Sequence, residues 1–189
     1  MKHLHHLLPM GCLLASLALN AQTECSGVYL TAEDFVAGNR LPATDGRPRS
    51  GKAEEQVFNS KYIFVNQGDY HYKMYARDVY ALQSCEGTIV RVYNDNYYNV
   101  LNPGEKILLY VVINPPFSKG EVWTRNYFFS KDAASEIRDL TLENLKSAFS
   151  GNPAFLEAVN SQFRSDRDLL AYDAIKKCYK INSAYSASR

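Results

Sequence analysis

Between residues 61 and 129, runs of aromatic and β-branched residues are separated by turn clusters only a few residues long. Parallel strands need crossovers of about a dozen residues or more, so this spacing confines the segment to antiparallel pairing. Seven strands are predicted, at 61–65, 70–75, 78–84, 88–93, 97–101, 107–113 and 122–129. The second alternates Tyr70, Tyr72 and Met74 against His71, Lys73 and Tyr75. Gly87 suits the positive φ of a tight hairpin, and Pro115-Pro116 ends the sixth strand because proline cannot donate to a ladder. That sixth strand, Ile107-Leu108-Leu109-Tyr110-Val111-Val112-Ile113, has no polar alternation and is expected to be covered on both faces, by other strands and by helices.

Helical punctuation follows the strands. Thr141 caps a helix over 142–149, and Asn152 with Pro153 opens a second. Ser165-Asp166-Arg167-Asp168 opens a third, with Ala171, Ala174, Ile175, Cys178 and Asn182 as its buried stripe. Before the strands, Thr31 caps a single turn through Phe35, and residues 40–53 read as loop. Strands followed by helices predict an α+β fold: an antiparallel curved sheet or partly open barrel of about seven strands, with C-terminal helices packed on it. A single domain over residues 22–189 is expected, strand-rich over 56–129 and helical over 141–185.

Residues 1–21 read as an export signal: Lys2 at the start, an apolar run from Leu7 to Leu19, and Ala21 before Gln22. The run is too short for a spanning helix, which needs about 20 apolar residues. Cys12 follows Pro9-Met10-Gly11, a poor lipidation motif. Removing the signal takes Lys2 with it and balances the 21 basic residues against the 20 acidic ones. A balanced chain without a basic block argues against nucleic acid or an anionic membrane as main partner. Export permits a disulfide, and Cys25 with Cys85 is the expected pair; the alternative is three small buried residues with Cys178 on a helix.

Chemical motifs are sparse. Gly46-Arg47-Pro48-Arg49-Ser50-Gly51-Lys52-Ala53 matches a phosphate-cradling loop, but Ala53 stands where magnesium needs a hydroxyl and no apolar strand precedes it. His3, His5 and His6 leave with the signal, so His71 alone could serve Cys85 or a serine as base. Asp69 and Glu86 could form a carboxylate pair, a coincidence easily met among 20 acidic residues. No catalytic, cofactor-binding or metal-ligating residue is assigned. Ten of the 14 tyrosines lie within residues 61–129; a ring with a polar tip suits both sheet packing and a recognition surface.

The opening Gly27-Val28-Tyr29-Leu30-Thr31-Ala32-Glu33-Asp34-Phe35 resembles that of a family of exported Gram-negative bacterial proteins of unknown function. Tyr127-Phe128-Phe129-Ser130, Leu140-Thr141-Leu142-Glu143-Asn144-Leu145, Leu170-Ala171-Tyr172-Asp173 and Tyr179-Lys180-Ile181-Asn182 are similar to its later parts. The resemblance implies export and transfers no activity.

The functional expectation is a non-enzymatic periplasmic or secreted protein whose partner is an envelope protein or a glycan. A carbohydrate or small-ligand binder using exposed tyrosines and Trp123 is the alternative, and an enzyme of unknown class the second. Mature protein recovered from the envelope or the medium is expected to begin at Gln22. N-terminal sequencing that returns Met1, or a lipid on Cys12, would overturn the export reading.

Overall fold

Two antiparallel meanders lie edge to edge in the computed structural model, which describes residues 26–44, 61–67, 70–116 and 118–189. The first comprises β1 (Gly27–Tyr29), β2 (Leu41–Thr44), β3 (Tyr62–Gln67) and β4 (Tyr70–Tyr75). The second comprises β5 (Ala81–Gln83), β6 (Ile89–Tyr93), β7 (Asn96–Val100), β8 (Leu108–Asn114), β9 (Thr124–Ser130) and β10 (Arg138–Asp139). Pairing of β1 with β5, through Val28 opposite Leu82, joins them into one ten-stranded sheet. Its ends are β4 and β10, and it is not closed into a barrel. The fold is α+β, with α1 (Ala32–Ala37), α2 (Leu142–Ala148), α3 (Pro153–Gln162) and α4 (Lys180–Ala187).

The chain jumps from β4 to β5, past three strands, through a short 3-10 turn over Ala76–Asp78. Ala76 and Val79 on this link are buried with Val28, Ala43, Ile63, Val65 and Leu82. Tyr80 N–H then donates to Tyr29 O at 3.0 Å, which seats the chain beside β1. A Cβ at Gly27 would stand 2.5 Å from Leu41 O, so β1 approaches the chain entering β2 more closely than any other residue allows.

The two faces of β8 and β9 have different covers. On one, Ile107, Leu109 and Phe129 pack with Leu145, Phe149, Phe155, Val159, Phe163 and Ile181 from the helical region. On the other, Leu108 and Tyr110 meet Ala133, Ala32, Phe35, Tyr80 and Ile137. The second cover is therefore α1 and the segment after β9, where other strands were expected. Coverage also stops short. Residues 107–110 are buried, but Ile113 is 45% exposed because the far end of the β8–β9 hairpin extends beyond the helices.

Helix ends follow their side-chain chemistry. Thr31 and Asp34 form a reciprocal capping box on α1, and Gly38 ends it at φ +72°. Thr141 Oγ1 accepts from Asn144 N–H and Asn152 Oδ1 from Phe155 N–H, as the sequence indicates.

The sheet has ten strands where about seven were expected, because β1, β2 and β10 are too short to carry a pattern of their own. Two local expectations also need correction. Residues 41–44 form a strand where loop was expected; Pro42 is tolerated because β3 pairs only with Ala43 and Thr44 beyond it. The expected third helix is a 3-10 turn at Asp166–Leu170, a hairpin of β11 (Tyr172–Asp173) and β12 (Cys178–Tyr179), then α4. Asp173 Oδ1 accepts the backbone N–H groups of Ile175 and Lys176, both at 3.0 Å, and Lys177 takes φ +53°. That local bonding competes with helix formation. Ile175 is consequently 95% exposed instead of buried, and Cys178 sits on a strand. Cys178 is a free thiol 3.1 Å from Ser183 Oγ, whereas Cys85 is disulfide-bonded. Cys25, the signal at residues 1–21 and the Gly46–Ala53 motif lie outside the described residues.

A buried amide network fastens the helices to the sheet. Asn182 accepts Ile107 N–H and donates to Ile107 O, both at 2.8 Å. Asn102 donates to the same carbonyl and accepts Leu109 N–H. Asn182→Ala is expected to cost about 1–3 kcal/mol by orphaning the Ile107 N–H. Leu109→Ala is expected to cost about 2–5 kcal/mol through the cavity it leaves. Urea unfolding with unchanged m-values checks both, and losses within about 0.5 kcal/mol would refute the shared core.

Candidate functional site

The β3–β4 hairpin has one face turned to its core and one turned outward. Ile63 and Val65, opposite Met74 and Tyr72, face inward. Tyr62, Phe64 and Asn66 face outward, opposite Tyr75, Lys73 and His71. The rings of Tyr62 and Tyr75 meet at 4.8 Å between centroids. Lys73 Nζ lies 3.8 Å from the Tyr62 centroid, Lys61 Nζ 5.5 Å from the same ring, and Arg77 Cζ 5.0 Å from the Tyr75 ring. Each cation is drawn to the negative face of its ring. Arg77 also stands 3.8 Å from Asp78.

The phenols register this field. A hydrogen bond from Tyr75, then the charges of Lys61 and Lys73, lower the pKa of Tyr62, while sharing that bond raises Tyr75.

The residues singled out from sequence do not converge. His71 Nδ1 pairs with Asn66 Oδ1 within the hairpin. Cys85 is disulfide-bonded, so a Cys85–His71 pair does not form there. Glu86 lies on the exposed β5–β6 turn, and Asp69 is outside the described residues. Trp123 is 64% exposed just before β9. The tyrosines form no single outward surface. Tyr70, Tyr75 and Tyr97 are exposed, whereas Tyr72, Tyr80, Tyr93 and Tyr98 are half-buried. Tyr98 packs edge-on against Tyr110 and Phe128 and is raised in pKa by burial. Among the described residues, no group of three or more His, Cys, Asp or Glu is placed to hold a metal ion. No described helix is long and apolar enough to cross a membrane.

The other concentrated charge, Arg91, is internal. Its guanidinium donates to Tyr110 Oη at 2.7 Å, Ser130 Oγ at 3.1 Å and Ser135 O at 2.8 Å. The rings of Tyr80, Tyr93 and Tyr110 surround it at 4.9, 5.4 and 5.7 Å. Burial raises the Tyr80 and Tyr110 pKa values despite that cation. Asp132 orders the adjoining loop. Partial burial opposes its ionisation, but bonds from the Ser135 hydroxyl and from backbone N–H groups, with Lys106 nearby, hold its carboxyl below the usual range. Arg91 thus ties β6, β8 and β9 to residues 131–135, a structural role.

No family model matches the chain, and neither a curated protein nor a solved structure matches it. The geometry therefore carries the functional reading. The grouping of Lys61, Tyr62, Lys73, Tyr75 and Arg77 is not visible without register. The described register places Gln67 opposite Tyr70, and hence Tyr62 opposite Tyr75.

Arg91→Lys is expected to destabilise the fold by about 1–3 kcal/mol, because an ammonium cannot reproduce three divergent planar contacts. Equilibrium denaturation checks this, and a change within about 0.5 kcal/mol would show the fork to be dispensable.

Proposed function

We propose that this protein is an exported, non-enzymatic interaction module that binds a partner protein through the outward face of β3 and β4. The observation that supports the reading is the grouping of Lys61, Lys73 and Arg77 over the half-buried ring of Tyr62 and the exposed ring of Tyr75. Solvated surface lysines sample many rotamers, and a partner must order them at a cost of about 0.5–1.5 kcal/mol per side chain. Ring contacts reduce that cost here. Aromatic residues and arginine are also the types enriched at interfaces. Export rests on the apolar leader at residues 1–21.

Exposure of Trp123, with Val122 beside it at 75%, supports a second reading as a sugar binder. Trp123 is the sole tryptophan, so its emission during titration with oligosaccharides reports on that surface alone. A saturable change would favour the sugar reading; a flat response favours the protein partner.

The direct test places a photoreactive phenylalanine analogue at Phe64, and separately at exposed Glu143 on α2, in cells that export the protein. A discrete crosslinked species from position 64 and none from 143 is expected. Equal labelling, or none at 64, would overturn the proposal.

A further inference from the structure

The backbone of β4 adds a second property to this face. Ala76 N–H donates to Lys61 O at 3.1 Å, so residues 61 and 76 form a hydrogen-bonded pair of the antiparallel ladder. Such pairs alternate with non-bonded ones. Met74 and Tyr72 therefore spend their peptide groups on β3, opposite Ile63 and Val65. His71, Lys73 and Tyr75 direct theirs away from β3, toward the end of the sheet. Among the described residues no strand takes up that side. The three residues whose backbone points outward are the same three whose side chains share the cationic, aromatic face.

We infer that the partner of this face contributes an extended acidic segment, which pairs with β4 as an added strand and sets carboxylates against Lys73 and Arg77. The inference rests on the reading of β3–β4 as the recognition surface and specifies its chemistry. An edge strand selects an extended peptide because main-chain bonds supply affinity while alternate side chains supply specificity. Charge selects an acidic peptide. A second copy of this chain is disfavoured: antiparallel pairing of two β4 strands would bring like charges across the junction, which is destabilising. Sugar stacking is also disfavoured on Tyr62, since Lys73 already covers one face of its ring.

The test uses the full mature protein and three probes: a capped peptide alternating Glu with Val and Thr, the same peptide N-methylated on the residues whose N–H would face β4, and polygalacturonate. Calorimetry with hydrogen exchange of the β4 amides reads the outcome. The unmethylated acidic peptide is expected to bind and to slow exchange at His71, Lys73 and Tyr75. Lys73→Glu, on an exposed site, should weaken it at least tenfold. N-methylation should do the same. Equal binding of the methylated peptide or of polygalacturonate would overturn strand addition while leaving a polyanion-binding face. Failure of every acidic probe, with crosslinking from position 64 intact, would overturn the acidic partner but not the surface. Loss of that crosslinking would remove both. Self-association through β4 that Lys73→Glu strengthens would identify a second copy as the occupant and refute the inference.

Discussion

The peptide group of Ile107 is held as a strand neighbour would hold it, but by side chains. Asn182 meets both its N–H and its C=O, and Asn102 adds a second donor to the same carbonyl. This grip sits where β8 enters the core, and it reaches across 75 residues to α4. Hydrophobic burial of Phe129, Leu145, Phe155 and Ile181 supplies most of the driving force there, yet that force is non-directional. The amides supply position. Ile181 and Asn182 are adjacent and both buried, so the residue that drives docking and the residue that aligns it act together.

Arg91 does the equivalent work on the opposite face. Tyr110 and Ser130, which it bonds, lie on the strand pair β8–β9 that the amides fasten from the other side. Its three acceptors among the described residues are neutral, and among those residues its Nε has no hydrogen-bond partner. The ring faces around it carry negative quadrupole density and offset part of the cost of a buried charge. One strand pair is thus locked by polar groups on both sides, within apolar layers that could otherwise slide.

Much of this architecture was legible from local sequence. The seven central strands, Gly87 at φ +86°, and the caps at Thr31, Thr141 and Asn152 all follow from residue type and turn placement. What escaped depends on partners distant in sequence. β1 has three residues, too few for a periodic pattern, and exists because it pairs with residues 81–83. β2 hides behind Pro42, and the 172–179 hairpin behind the side chain of Asp173. The inward packing of Tyr98 needed the neighbours on β8 and β9. The candidate surface was illegible for the same reason: each of its residues is unremarkable until Tyr62 stands opposite Tyr75.

Net charge concealed the surface as well. A balanced count suggests a chain without electrostatic preference, but the two signs do different work. Asp34, Asp132, Asp166, Asp168 and Asp173 each accept backbone N–H groups in caps and turns, so their charge is partly met by local dipoles. Lys61, Lys73 and Arg77 lie over rings, with Asp78 as the carboxylate beside them. Those five aspartates are committed to shaping the chain, while these cations are left to face solvent. They also sit on the hairpin at one end of the sheet, away from the β8–β9 pair that the amides and Arg91 secure. The β8–β9 pair and the outward charges therefore lie in different parts of the sheet, so the hairpin face can present a local field without adding a further charge to the core that already holds Arg91.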